Sequence, residues 1–154
     1  MKRWNNMRRM LSCILSLVLL LSVMPLGANA LEMEIVQFED GSYVIIQIDT
    51  YGTRASGTVS GSKTANYYSS SNVLEWKAEL NGSFSYTGSS ASCTSADLDI
   101  TIYNSTWSTQ YGYASKSGNK ATASGAMLKK AAGITVAKSP ISITLTCDAN
   151  GNLS

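Results

Sequence analysis

Hydrophobic and polar residues alternate strictly over residues 74–80, where two leucines, a tryptophan and an alanine are separated by charged side chains. A period of two is typical of a β-strand that buries one of its faces. The dipeptide Asn81-Gly82 follows directly, and this pair is favoured in type I′ hairpin turns because both residues tolerate a positive φ angle. We therefore predict a strand over 74–80, a turn at Asn81-Gly82 and a returning strand over 83–87.

The same alternation recurs in residues 97–103 and 141–147, and each stretch places its branched side chains on one face. Another hairpin is predicted at Asp40-Gly41, with residues 44–48 as its second strand. Helical signals are weaker by comparison. The best helical candidate, residues 121–132, is interrupted by Gly125 and lacks a capping box, and it also fits a strand.

Strands at intervals of about 8 to 12 residues, parted by glycine, serine and asparagine, favour an antiparallel β-sandwich or barrel over a fold of alternating strands and helices. We predict a single all-β domain of this kind. The stretch 52–57 has the composition of a linker. Residues 31–57 are therefore predicted to form an N-terminal hairpin and linker, and residues 58–154 the body of the domain.

The first thirty residues have the pattern of a Sec-type signal peptide. Four basic residues precede an apolar run over 10–24, and Ala28 and Ala30 then fit an A-x-A cleavage sequence. We predict cleavage after Ala30, a mature chain that begins at Leu31, and secretion. The alternative is a membrane anchor, but an apolar run of about 15 residues is short for a bilayer that needs roughly 20.

Removal of residues 1–30 changes the charge balance from +2 for the whole chain to −2, because the predicted mature part has eight basic and ten acidic residues. The longest basic run is Lys129-Lys130, so the electrostatic footprint of a nucleic-acid-binding protein is missing. Neither a second apolar segment nor a cell-wall sorting signal follows the apolar run over 10–24. We expect no nucleic-acid partner, no membrane anchor after cleavage, and a protein that is released or held non-covalently.

Two cysteines, Cys93 and Cys147, remain after the predicted cleavage. An even number in an exported chain predicts a disulfide between them, with two separate buried thiols as the alternative. The chain has no histidine. Two thiolates alone leave a tetrahedral zinc site half empty, so we expect neither a metal centre nor a cofactor.

The absence of histidine also excludes Ser-His-Asp and Cys-His catalysis. Two carboxylate pairs, Asp97 with Asp99 and Glu75 with Glu79, are predicted to lie on the solvated face of their strands, where nothing raises one pKa above the other. The segment 148–152 has oxygen ligands at alternate positions but not the glycine and glutamate spacing of an EF-hand, so a plain turn is preferred to a calcium loop. We expect a protein that is not an enzyme.

Aromatic side chains are the remaining candidates for a binding site. Exposed rings on a sheet face stack on sugar rings, and the same residues are also common in sandwich cores. The candidates for such exposed rings are Tyr67, Tyr68, Trp107, Tyr111 and Tyr113. Because charged residues are sparse, binding at these rings is predicted to be nearly independent of salt.

A series of short motifs resembles an uncharacterised family of small exported proteins from clostridia-like Gram-positive bacteria. The resemblance covers nearly the whole predicted mature chain and implies export and a Gram-positive source, but it implies no activity and no site residue. The matching residues are Gly61-Ser62-Lys63-Thr64, Tyr67-Tyr68, Trp76, Gly82-Ser83-Phe84-Ser85-Tyr86, Cys93-Thr94-Ser95, Tyr103-Asn104-Ser105-Thr106-Trp107, Ala114-Ser115-Lys116-Ser117-Gly118-Asn119, Leu145-Thr146-Cys147 and Asn150-Gly151.

Two classes of function are consistent with these features. The first is a non-catalytic binding module of the cell envelope, with cell-wall glycan or another surface component as its partner. The second is a secreted effector, such as a small antimicrobial or toxin-like protein. Export, size and an all-β plan are common to both, so the sequence leaves the choice open.

Overall fold

The computed structural model describes residues 33–55 and 57–154, and the predicted signal peptide lies outside them. Within these residues there are eight strands and no α-helix, so none of them forms a helix that could cross a membrane. The strands are β1 Met33–Gln37, β2 Tyr43–Ala55, β3 Thr58–Tyr68, β4 Leu74–Tyr86, β5 Ala91–Ile102, β6 Trp107–Ser117, β7 Lys120–Ala131 and β8 Ile134–Thr146.

The strands form two antiparallel sheets in which each strand pairs with the next in the chain. The first sheet has the order β1-β2-β3-β4-β5, and the second has the order β6-β7-β8. The sheets pack face to face, with β8 against β3, β7 against β4 and β5, and β6 against β5. The prediction of an all-β antiparallel sandwich is therefore confirmed.

The core lies between the two sheets and is built by period-two alternation. In β4 every second residue from Trp76 to Phe84 is buried, and the residues that alternate with them, Lys77, Glu79, Asn81 and Ser83, are more exposed. The second sheet contributes the buried side chains of Ala121, Ala123, Met127, Ile141, Ile143 and Leu145. These groups form a single contiguous hydrophobic cluster, which stabilises the sandwich by removing apolar surface from water.

The predicted hairpin at Asp40-Gly41 is present, and Gly41 adopts the positive φ of 81° that glycine allows without steric cost. β2 then pairs with β3 along most of its length, up to Ala55 opposite Thr58. The predicted boundary between residues 31–57 and 58–154 falls at this second hairpin, inside one continuous sheet. The helical candidate at 121–132 is strand β7 and the start of its turn.

The turn predicted at Asn81-Gly82 is wrong, because both residues lie in the middle of the continuous strand β4. Gly82 is required there by close packing between the sheets. A Cβ atom on Gly82 would lie 2.8 Å from the Phe84 ring and 3.1 Å from a methyl group of Leu145. The glycine marks a close approach in the core, a use that local sequence does not distinguish from a turn.

No disulfide joins Cys93 to Cys147 in the structure, contrary to the prediction. Both cysteines are buried, and each thiol donates to a backbone carbonyl on its own strand or just beyond it. Cys93 Sγ lies 3.2 Å from the Ser95 oxygen, and Cys147 Sγ lies 3.4 Å from the Asp148 oxygen. The two residues are thus used as small core side chains, which is common for cysteine.

Candidate functional site

Two tyrosine rings lie side by side on the solvent face of β6. Tyr111 is 48% exposed and Tyr113 is 57% exposed. Their ring centroids are 6.4 Å apart and the planes are inclined by 26°. The pair therefore presents a nearly continuous aromatic surface to solvent, held by a strand that is paired along its whole length with β7.

A β-bulge directs these two rings outward. The pairing of β6 with β7 shifts between Thr109 and Tyr111, which leaves Gln110 as the extra residue. After the bulge Gly112 faces the five-stranded sheet, since a Cβ atom there would meet Ile100 of β5 at 2.8 Å. Tyr111 and Tyr113 consequently point to solvent, because successive side chains of a strand alternate between faces.

Hydroxyl groups flank Tyr113 on the same face of the sheet, whereas Tyr111 lies opposite Ala126. Tyr113 lies opposite Ser124, and Ser124 lies opposite Ser142 on β8. One step further along, Ser115, Thr122 and Thr144 form a second row across the three strands. All five of these hydroxyl-bearing side chains are exposed or half-buried. Rings flanked by hydroxyls can combine stacking with hydrogen bonds to a polyhydroxylated ligand.

The other predicted ring residues occupy different places. Tyr67 and Trp107 are buried, at 9% and 4% exposure, so neither presents a ring to a ligand at the surface. Tyr67 stacks on Trp76 with centroids 5.1 Å apart, and Trp107 meets both rings edge to face. Tyr68 is half-buried and stacks on Tyr43 on the outer face of the five-stranded sheet, at 5.0 Å and 8°. Because of the bulge at Gln110, Trp107 points into the core while Tyr111 and Tyr113, on the same strand, point to solvent.

A buried carboxylate adjoins this aromatic cluster. Glu75 is 5% exposed and is the extra residue of a bulge in β4, because Tyr67 pairs with Trp76 and Tyr68 with Leu74. The bulge turns Glu75 toward the interior, and the prediction that it lies on the solvated face is wrong. Glu79 does lie on the outer face, so the two carboxylates are on opposite sides of the sheet and cannot act as an acid-base pair.

The partners of Glu75 satisfy its charge. The Trp107 indole N–H donates to Oε2, Lys129 Nζ lies 3.4 Å from the same oxygen, and Asn104 Nδ2 donates to Oε1 at 3.2 Å. Lys129 also lies 5.5 Å from the centroid of the Trp107 ring. Buried charges are tolerated when they are paired in this way. The arrangement joins the sheets and leaves no open position at which a substrate would meet the carboxylate, so we assign it a structural role.

The oxygens of Asp148 near the C-terminus are occupied by amide donors. Oδ1 accepts from the backbone N–H groups of Asn150 and Asn152, and Oδ2 accepts from the Asn152 side chain, all within 2.8 Å. These bonds, with the Asn152 side chain first, lower the pKa of Asp148. The segment is a tight turn that includes Gly151 at a φ of 84°. Among the described residues no group of three or more cysteine and carboxylate side chains is placed to hold a metal ion.

Charge is divided unequally between the two sheets. Over residues 33–102, which contain the five-stranded sheet, there are eight acidic and three basic residues. Over residues 107–146, which contain the three-stranded sheet, there are five lysines and no acidic residue. The net charge of the whole chain hides this separation, although a charge count for each predicted strand detects it.

Comparison with known proteins identifies no relative: no protein-family model, no curated protein and no solved structure matches the chain. The resemblance to exported proteins of Gram-positive bacteria therefore stays a prediction. The geometry of the surface is the basis on which function is inferred.

Proposed function

We propose that this chain is an exported, non-catalytic domain that binds glycan of the cell envelope through the outer face of its three-stranded sheet. The observation that carries this proposal is the exposed pair Tyr111 and Tyr113, with rings 6.4 Å apart. Aromatic rings this exposed cost solubility, and two of them on one rigid face are typical of a binding surface.

The chemistry of the surface fits a carbohydrate better than a peptide or an apolar ligand. A sugar ring offers a face of C–H groups to an aromatic ring and hydroxyls around its edge. The tyrosine pair can stack on the C–H face of the sugar, and the hydroxyls in the rows that contain Ser124 and Thr122 can hydrogen-bond to the hydroxyls at its edge. The shallow shape suits an extended polymer, because a polymer lies across a flat face without the need for a deep cavity.

The proposal is tested by retention of the protein on insoluble peptidoglycan and on neutral polysaccharide. We expect Tyr111→Ser and Tyr113→Ser to weaken retention about tenfold each, since stacking of an aromatic ring contributes on the order of 1 kcal/mol or more. Tyr103→Ser is the matched control, because Tyr103 is 55% exposed but lies outside this face. Retention of the wild type is expected to change little between about 0.1 M and 1 M salt.

Two results contradict the proposal. One is the absence of retention on every glycan tested. The other is tight binding that disappears in salt and is unaffected by both tyrosine substitutions, which places the contact on the lysines of this sheet instead. The unfolding transition of each tyrosine variant separates a binding defect from a folding defect. We expect this transition to be unchanged, because both rings are already exposed in the folded protein.

Export itself is tested by intact mass. The protein recovered from culture medium is expected to have the mass of a chain that begins at Leu31, without the residues 1–30. A membrane-bound species that retains Met1 contradicts secretion and supports an anchor.

A further inference from the structure

The buried carboxylate of Glu75 is contacted by two groups that can react with each other. The Lys129 amine lies 3.4 Å from Oε2, and the Asn104 amide nitrogen donates to Oε1 at 3.2 Å. An amine is a nucleophile, and the carbon Cγ of an asparagine amide is the atom that a nucleophile attacks. Glu75 therefore holds the nucleophile and the electrophile of an amide exchange at its two oxygens.

Backbone hydrogen bonds fix the segments that carry these three residues. The Asn104 N–H donates to the Glu75 carbonyl oxygen at 3.1 Å, and the N–H of Lys130, next to Lys129, donates to the Thr106 carbonyl oxygen at 2.8 Å. Strand β4, the connection between the sheets and the end of β7 are thus tied to one another beside the reacting groups. Fixed placement of this kind converts a reaction between two groups into an effectively unimolecular step.

The carbonyl oxygen of the Asn104 side chain already has the donors that the reaction needs. Its Oδ1 atom accepts from the backbone N–H of Thr106 at 3.0 Å and from the Thr106 hydroxyl at 2.9 Å. Attack on Cγ moves negative charge onto this oxygen, and donors that are already in place stabilise that charge. With Oδ1 held in this way, Nδ2 faces Glu75, which is where a proton donor for the departing nitrogen is required.

Aromatic side chains limit the access of water to these groups. Trp107 is buried, donates its indole N–H to Glu75 and lies 5.5 Å from the Lys129 amine, and the buried rings of Tyr67 and Trp76 pack against it. A proton can pass from Lys129 to Glu75 here, since the transfer replaces two poorly hydrated charges with two neutral groups. The Lys129 side chain is 37% exposed, so a released nitrogen can leave to solvent.

The other lysine-glutamate ion pair within the described residues lacks these features. Lys77 and Glu79 lie on the outer face of the five-stranded sheet, and both side chains are partly exposed. The second oxygen of Glu79 accepts from the Tyr51 hydroxyl and not from an amide. In this part of the chain, Glu75 is the carboxylate that an amine and a side-chain amide contact together.

We propose that Lys129 and Asn104 form an isopeptide bond spontaneously, with Glu75 as the proton carrier. Glu75 takes a proton from the Lys129 ammonium group, and the neutral amine attacks Cγ of Asn104. The Nζ–Cγ bond forms and the Cγ–Nδ2 bond breaks. Nδ2 leaves as ammonium, with one proton from Glu75 and one from Nζ, and Glu75 is again a carboxylate. The exchange consumes no oxidant, reductant or cofactor.

The bond joins residue 104, in the connection between the sheets, to residue 129 and closes a covalent loop that contains β6 and most of β7. A covalent link stabilises a fold mainly by restricting the unfolded chain, as a disulfide does. Cys93 and Cys147 are not joined in the structure, and the isopeptide bond is a covalent tie that does not depend on an oxidising environment. The reaction takes place once in each molecule and is independent of glycan binding.

Mass spectrometry of the full-length gene product, recovered in its processed form, tests the proposal. We expect an intact mass lower by one ammonia than the mass calculated from the measured N-terminus. Trypsin does not cleave after a lysine whose amine is acylated, so it should yield residues 78–116 joined to residues 121–130 as one branched peptide. Loss of ammonia by cyclisation at Asn150-Gly151 gives no branched peptide and is distinguished in this way.

Lys129→Arg is expected to abolish the bond, because the guanidinium group stays protonated and is not a nucleophile. The substitution keeps a positive charge beside Glu75, so the fold should be retained. Lys130→Arg is the matched control, since Lys130 is exposed and points to the opposite face of β7, and the bond should form in it normally. We expect the midpoint of thermal unfolding to fall by about 10 °C or more in Lys129→Arg and by less than about 2 °C in Lys130→Arg.

Glu75→Gln tests the proton carrier. An amide cannot take up and return the proton, so this variant should fold without the bond and have the full calculated mass. In the Lys129→Arg background, where no bond forms, the same substitution reports only on the lost hydrogen bonds. Two results overturn the proposal: a folded wild type with the full calculated mass that releases residues 121–129 as a separate tryptic peptide, or a branched peptide that persists in Lys129→Arg or Glu75→Gln.

Discussion

The indole N–H of Trp107 on β6 donates a hydrogen bond to the buried carboxylate of Glu75 on β4, and this bond joins the two sheets of the sandwich. Asn104, in the connection between the sheets, donates to the other oxygen of the same carboxylate at 3.2 Å. The Glu75 side chain thus links β4, the connection between the two sheets and strand β6 of the opposite sheet.

Glu75→Gln is expected to destabilise the domain by about 1–3 kcal/mol in urea unfolding. The carboxylate accepts hydrogen bonds on both of its oxygens, from Trp107 and from Asn104, whereas an amide has only one acceptor oxygen. The NH2 group of the new side chain would face the Trp107 or Asn104 N–H. Glu79→Gln is the control on the outer face and should cost less than about 1 kcal/mol, as partly exposed ion pairs do. Equal effects of the two substitutions contradict the role assigned to Glu75.

Two buried indoles offer a matched comparison. Trp76 is 2% exposed, and its N–H has no hydrogen-bond partner within the described part of the chain, whereas the Trp107 N–H is bonded to Glu75. Trp76→Phe and Trp107→Phe remove similar volumes. We expect Trp107→Phe to destabilise by about 1–3 kcal/mol more, because it leaves a buried carboxylate without one of its donors. Thermal or urea unfolding measures the difference, and equal losses would show that the bond contributes little.

Both cysteines are expected to be thiols that react only when the protein unfolds. Burial raises the pKa of the Cys93 thiol, and this lowers the fraction present as the nucleophilic thiolate. Protein isolated without reductant should yield two titratable thiols in denaturant and almost none within minutes under native conditions. Recovery of no thiols in denaturant would indicate that the disulfide predicted from the sequence forms after all.

The ion pair between Lys77 and Glu79 predicts a small loss of stability in acid. A hydrogen bond from Lys77 at 2.8 Å is the main cause of the lowered pKa of Glu79 in the folded protein. Because the folded pKa lies below the unfolded one, the contribution is complete above the ordinary glutamate pKa of about 4.3 and is lost as the pH falls through the folded value.

Urea unfolding of the wild type and Glu79→Gln between about pH 6 and pH 3 measures this contribution. The difference in free energy of unfolding should shrink toward zero at the acid end, and it should stay below about 1 kcal/mol throughout. Asp97→Asn is the control, because it removes a carboxylate of the same sheet that is not bonded to Lys77. A difference that grows as the pH falls contradicts the assignment.

The candidate site was recovered from the sequence only in part. The sequence predicts five candidate ring residues, and nothing local distinguishes Tyr111 and Tyr113 from Tyr67 or Trp107. The distinction comes from the bulge at Gln110, where one extra residue changes the face to which every later side chain points. The bulge at Glu75 has the same effect: the alternation over 74–80 predicts an exposed Glu75, and the extra residue turns its side chain inward.

The sequence by itself determined that the chain folds as antiparallel strands. Alternation with a period of two and turns rich in glycine, serine and asparagine are local properties, and they act before any long-range contact forms. Tertiary structure alone decided that Gly82 lies against Phe84 and Leu145 within a strand, and that Cys93 and Cys147 each bond to a backbone carbonyl. It also decided that β1 and β2 lack a covering sheet. These features depend on which strands pack face to face, and that depends on contacts between residues far apart in the chain.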